Sequence, residues 1–118
     1  MSLPFDRRGL VRCALAAVVA VQLIVLYAPD APGPPSPIPH ADKAVHAIVF
    51  ALPVLVAGLG RLRRWWLVAL LCAAHAPLSE TVQHLALGQR SGDLWDVVAD
   101  LVGVGAASIG VLLTLRRR

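Results

Sequence analysis

Apolar residues in this chain do not alternate, nor do they recur only every third or fourth position; they run in four long blocks separated by short polar or proline-rich stretches. The first, Leu10 to Tyr27, is 18 residues broken only by Arg12, Cys13 and Gln22. At about 1.5 Å per residue this is roughly 27 Å of helix, enough to cross the hydrocarbon of a bilayer. Residues 28–41 contain six prolines, which exclude helix or strand interior and predict a stiff extended loop. A second helix is predicted over 43–60, with Asp42 as its N-cap or first residue, a kink at Pro53, and an end at Gly58 and Gly60. Arg61, Arg63 and Arg64 then form a basic turn. A third helix is predicted over 65–86, kinked at Pro77, and a fourth over 93–115, stopped by Arg116, Arg117 and Arg118. A cleaved leader is a weaker reading of the first block, because the run is long for one and APDAPGPP has no clean A-x-A site.

Composition agrees with these blocks. Of the 118 residues, 58% are hydrophobic and 15% charged, and the mean hydropathy is +0.71, too apolar for an ordinary soluble domain. The expectation is an all-α integral membrane bundle of four transmembrane helices, a single domain spanning 1–118. The net charge of +4 does not point to nucleic acid, because the basic residues stand at the ends of the apolar runs. Nine of the eleven (Arg7, Arg8, Arg12, Arg61, Arg63, Arg64 and Arg116 to Arg118) fall on one side of a four-span topology. The positive-inside rule makes that side, with both ends of the sequence, cytoplasmic. Trp65 and Trp66 mark the inner interface, Tyr27 and Trp95 the outer one. Cys13 and Cys72 both lie in apolar runs, so neither a disulfide nor a cysteine metal site is expected.

The polar residues left inside the blocks carry the candidate chemistry. Asp42, Lys43 and His46 open the second helix; Glu80, Gln83 and His84 share a face near the end of the third; Asp93, Asp96 and Asp100 share a face at the start of the fourth. Between the last two groups, Gly88 to Gly92 form a turn that carries Arg90. In an up-and-down bundle all of these arrive at one end. Ionisable groups at such depth cost on the order of 2.5–3.5 kcal/mol each, so they are expected to face inward, to pair, or to line a wet cavity. His75, alone in an apolar run, reads as a helix–helix contact, and Gly103, Gly105 and Gly110 as sites of close packing.

The order Asp42-Lys43-x-x-His46-x-x-x-Phe50, Glu80-x-x-Gln83, then Arg90, Asp96, Asp100 and Gly103 resembles the VanZ-like family of small bacterial membrane proteins over about residues 42–107. Asp100 stands where that family commonly has asparagine, and Ala107 where it commonly has a second glycine. The resemblance implies a multi-pass protein of the bacterial inner membrane linked to resistance to the glycopeptide teicoplanin, with a membrane lipid, a cell-wall precursor or a lipoglycopeptide as partner.

Three readings of the cluster follow. In the first, an outer-leaflet pocket formed by Asp42, Lys43, His46, Glu80, Gln83, Arg90, Asp96 and Asp100 binds a headgroup or precursor, with Lys43 and Arg90 supplying charge-assisted bonds. In the second it is an enzyme centre acting on an envelope lipid or precursor, with Asp96 and Asp100 holding a divalent metal and His46 or Glu80 as base. In the third it is a structural polar network. No recognised catalytic motif is present, and no cofactor or resident metal is expected.

Overall fold

A computed structural model describes residues 6–30, 37–88 and 93–118. Arg90, most of the turn around it and the middle of the proline-rich loop lie outside the described residues. The regular structure is helical throughout: α1 Arg7–Tyr27, α2 Ala41–Leu59, α3 Trp65–Ala86 and α4 Leu94–Arg116. Each of the four is long and apolar enough to cross a membrane.

Helix starts follow local capping chemistry. At α1 the Asp6 carboxylate accepts from the Gly9 N–H at 2.7 Å, which moves the start three residues ahead of the predicted Leu10. Asp93 caps α4 by accepting from Trp95 N–H at 3.0 Å. Asp42, expected as the N-cap or first residue of α2, is its second residue; the cap is His40, with a left-handed φ of 59° and no side-chain cap bond. Asp42 thus keeps its carboxylate for Lys43. Helices α2 and α3 continue through Pro53 and Pro77.

The end of α2 is a Schellman closure: Leu62 N–H bonds to Ala57 carbonyl and Arg61 N–H to Gly58 carbonyl, each at 3.0 Å. Arg61 occupies the left-handed position, φ 60°, where glycine is usually found. Arg61→Gly is therefore expected to stabilise the protein by about 0.5–1 kcal/mol, net of glycine's greater chain entropy. Denaturation in mixed micelles would read this as a later midpoint.

Helices α2 and α4 run parallel and form the most extensive pair. Lys43 meets Asp96, Ala47 faces Gly103, and Gly58 faces Val111. A Cβ on Gly103 would fall on the Ala47 carbonyl, and one on Gly58 would fall on the Val111 side chain, so two missing side chains let the helices approach. Gly105 and Gly110, expected to do the same, have open space where a side chain would stand. α3 runs antiparallel to both, and α1 packs mainly on α2 and barely touches α3.

Leu26, Phe50, Val54, Cys72, Ala76, Val104 and Ala107 form the apolar core. Outside, large apolar side chains such as Ile24, Ile48, Leu71 and Ile109 stand exposed, while Gln22, His46, Ser79, Glu80, Gln83, Asp96 and Asp100 are buried. An apolar exterior around buried charge inverts the arrangement of a water-soluble domain.

Candidate functional site: an acid-rich chamber at one end of the bundle

Helical spacing decides which polar groups turn inward. On α4 the steps from Asp93 to Asp96 and on to Asp100 follow one face, and they bury Asp96 and Asp100 while leaving Asp93 at the rim. On α3 Glu80 and Gln83 turn inward, but His84 is exposed, one residue further round the helix. On α2 His46 is buried, and Lys43 above it keeps 23% of its side chain exposed, which matters because its ammonium can still meet the surface.

These groups meet in two tiers. At the rim, the Lys43 ammonium is held by Asp96 Oδ1 at 2.5 Å, Asp42 Oδ2 at 2.9 Å and Asp93 Oδ2 at 3.4 Å. The Trp95 N–H, and after it the Lys43 ammonium, hold the Asp93 carboxyl below the usual carboxylate range. Deeper in, His46 Nδ1 lies 2.8 Å from Asp100 Oδ1 and 3.7 Å from Glu80 Oε1, while its Nε2 lies 3.9 Å from Asp96 Oδ2. Asp96 joins the tiers, one oxygen on Lys43 and the other towards His46. Glu80 also ties α3 to α4, its Oε2 accepting from Asp93 N–H at 3.0 Å. Gln83 donates to the Leu26 carbonyl at 2.8 Å, which fixes α3 to the end of α1 and leaves no role for it in the ion pairs.

The chamber is strongly acidic. Among the described residues, five carboxylates (Asp42, Glu80, Asp93, Asp96 and Asp100) surround one ammonium and one imidazole. In a low-dielectric setting that excess calls for further positive charge. The expectation that Lys43 reaches out to an anionic ligand changes accordingly, because three carboxylates already occupy it. The carboxylate pair that converges with histidine is Glu80 with Asp100: with His46 they offer three ligand atoms within 4.8 Å of one another. Asp96, assigned with Asp100 to a metal by the enzyme reading, is engaged by Lys43 instead.

Two grooves of about 410 Å³ flank the chamber. One lies between α3 and α4, where Glu80, Asp93 and His84 meet Leu85, Leu94 and Val97; Leu85 is 78% and Leu94 75% exposed, so the rim is apolar and open to the side. The other is lined by His40, Lys43, Asp93, Trp95, Val98 and Ala99. His75, read from the sequence as a packing residue, bonds Tyr27 Oη at 2.7 Å and lies 5.8 Å from the Phe50 ring centroid. Nothing in the sequence marks Tyr27 as its partner, because the two positions lie 48 residues apart.

The chain is 34% identical over 123 residues to an uncharacterised protein of the fission yeast Schizosaccharomyces pombe, a match covering all of this chain and 75% of the yeast protein. It belongs to the same family as that protein. No family model matches the chain, and no solved structure matches it. The VanZ-like assignment is corrected by these findings: no family model supports it, and a eukaryotic member points away from a family of bacterial proteins. The bacterial inner-membrane location is corrected with it, and the link to teicoplanin resistance loses its support. Polar residues spaced three or four apart at consecutive helix ends are what any bundle with an inward-facing charged end requires, so the pattern is less specific than its length suggests.

Proposed function

We propose that this is a four-span membrane protein whose acidic chamber binds the amine-bearing headgroup of a membrane lipid entering sideways between α3 and α4. The arginine-rich end of the bundle faces the cytosol under the positive-inside rule, and the chamber faces the opposite side. The observation that carries this reading is the α3–α4 groove, where Glu80 and Asp93 stand beside an apolar rim formed by Leu85 and Leu94. Such a groove matches an amphiphile: acyl chains lie along the exposed leucines, and the headgroup reaches carboxylates. An amine fits better than an anion because carboxylates outnumber cations among the described residues of the chamber and Lys43 is already paired. The neighbouring groove beside His40 and Trp95 gives the rim a second wet face.

The test is lipid binding by the full chain in nanodiscs, with phosphatidylethanolamine and phosphatidylglycerol as the two probes. A charge-assisted hydrogen bond contributes about 1.5–3 kcal/mol, so a preference for the ethanolamine lipid of about tenfold or more is expected. Asp93→Asn should erase most of that preference, and Leu85→Trp should weaken both lipids by filling the groove. Equal binding of both probes by the wild type, or an unaltered preference in Asp93→Asn, would reject the proposal.

A further inference from the structure

The deeper tier of the chamber has the features of a metal site. His46, Glu80 and Asp100 come from three different helices, and their ligand atoms lie within 4.8 Å of one another. The side chains are closed off from solvent: Glu80 is 6% and Asp100 0% exposed. In spite of that burial, Glu80 Oε1 and Asp100 Oδ2 have no hydrogen-bond partner among the described residues. A buried carboxylate oxygen without a partner is costly, and here two of them flank one imidazole.

We infer that His46, Glu80 and Asp100 bind a single divalent transition-metal ion, through His46 Nδ1 and one oxygen from each carboxylate. The distances fit the first coordination shell. Ligands about 2.0–2.2 Å from a zinc-type ion stand roughly 2.8–3.1 Å apart along the edges of an octahedron and roughly 3.3–3.6 Å apart along those of a tetrahedron. His46 Nδ1 lies 2.8 Å from Asp100 Oδ1, within the shorter span, and 3.7 Å from Glu80 Oε1, just beyond the longer one, so small side-chain rotations complete the shell. The other ring nitrogen, Nε2, faces Asp96 Oδ2 at 3.9 Å. A carboxylate opposite the ligating nitrogen is the usual device for fixing the tautomer and orientation of a metal-bound histidine. One nitrogen and two oxygens favour Zn²⁺ or Mn²⁺ over Ca²⁺ or Mg²⁺, which prefer shells of oxygen. Three protein ligands leave a position open, the pattern of a site that engages a further molecule.

The inference concerns the same chamber as the proposed lipid site but does not depend on it, since the metal alone is the probe. The full chain is purified in detergent, stripped with a chelator, and loaded with Zn²⁺ or Mn²⁺ in separate arms. Metal per chain is then measured by elemental analysis and affinity by calorimetry. One ion per chain is expected. His46→Gln and Asp100→Asn should lower affinity on the order of 100-fold, while Asp96→Asn, which reaches the metal only through the imidazole and also loosens Lys43, should lower it about 10-fold. Asp93→Asn, which impairs only the lipid reading, should bind metal as the wild type does. Circular dichroism confirms that each variant is helical; where one fails to fold, a metal-induced rise in the wild-type Tm takes its place. Loading of the wild type below about 0.1 ion per chain in both arms, no rise in its Tm, or wild-type affinity in folded His46→Gln would overturn the inference.

Discussion

Asp100→Leu is expected to destabilise the protein by about 3–5 kcal/mol, because it removes one partner of a buried pair and strands the other. Asp100 is fully buried, its Oδ1 is 2.8 Å from His46 Nδ1, and the imidazole left behind is itself buried. The comparison is Asp42→Leu, at a carboxylate 61% exposed, which also pairs with a cation but does so in contact with solvent. There the change should stay within about 0.5–1 kcal/mol. Both are read from reversible unfolding in mixed micelles. Similar losses for the two aspartates would show that burial does not distinguish the tiers of the chamber.

The second large effect concerns backbone approach. Gly103→Ala should cost about 1–3 kcal/mol and Gly103→Leu should prevent the native pairing of α2 with α4, because the added carbon meets the Ala47 carbonyl and neither backbone can yield cheaply. Parting these helices also separates His46, the residue before Ala47, from Asp100, one turn before Gly103. Gly105→Ala is the control. It meets open space and should be neutral or stabilising by up to about 1 kcal/mol, as expected for replacing a helical glycine. Equal damage at both positions would mean that helix propensity, and not the Ala47 contact, governs this stretch.

Much of this architecture could be read from the chain because membrane helices are written as long apolar runs. All four helices lie within three residues of their expected limits. The errors fall where a single side chain makes a local choice. Asp6 captured the Gly9 N–H and lengthened α1, and Asp42 turned to Lys43 and left the cap of α2 to His40. The chamber was legible for a similar reason: charge in an apolar helix must turn inward, and helical spacing identifies Asp96 with Asp100 and Glu80 with Gln83 as sharing faces. Spacing does not reveal which inward groups meet across helices. It could not show that Gln83 reaches Leu26, that Lys43 takes Asp96 away from Asp100, or that Glu80 completes the set around His46. Spacing does separate Gly103 from Gly105, which lie about 200° apart around the helix, since only the first shares a face with Asp100 and Ala107.

The N-terminal ends of α2 and α4 meet in a buried polar chamber, and a double-mutant cycle between His46 and Asp100 measures that meeting directly. With His46→Leu, Asp100→Leu and the double variant unfolded in the same micelles, a coupling of about 1.5 kcal/mol or more is predicted, the double variant regaining much of what either single change loses. Additivity within about 0.5 kcal/mol would place the two side chains out of contact and contradict the chamber.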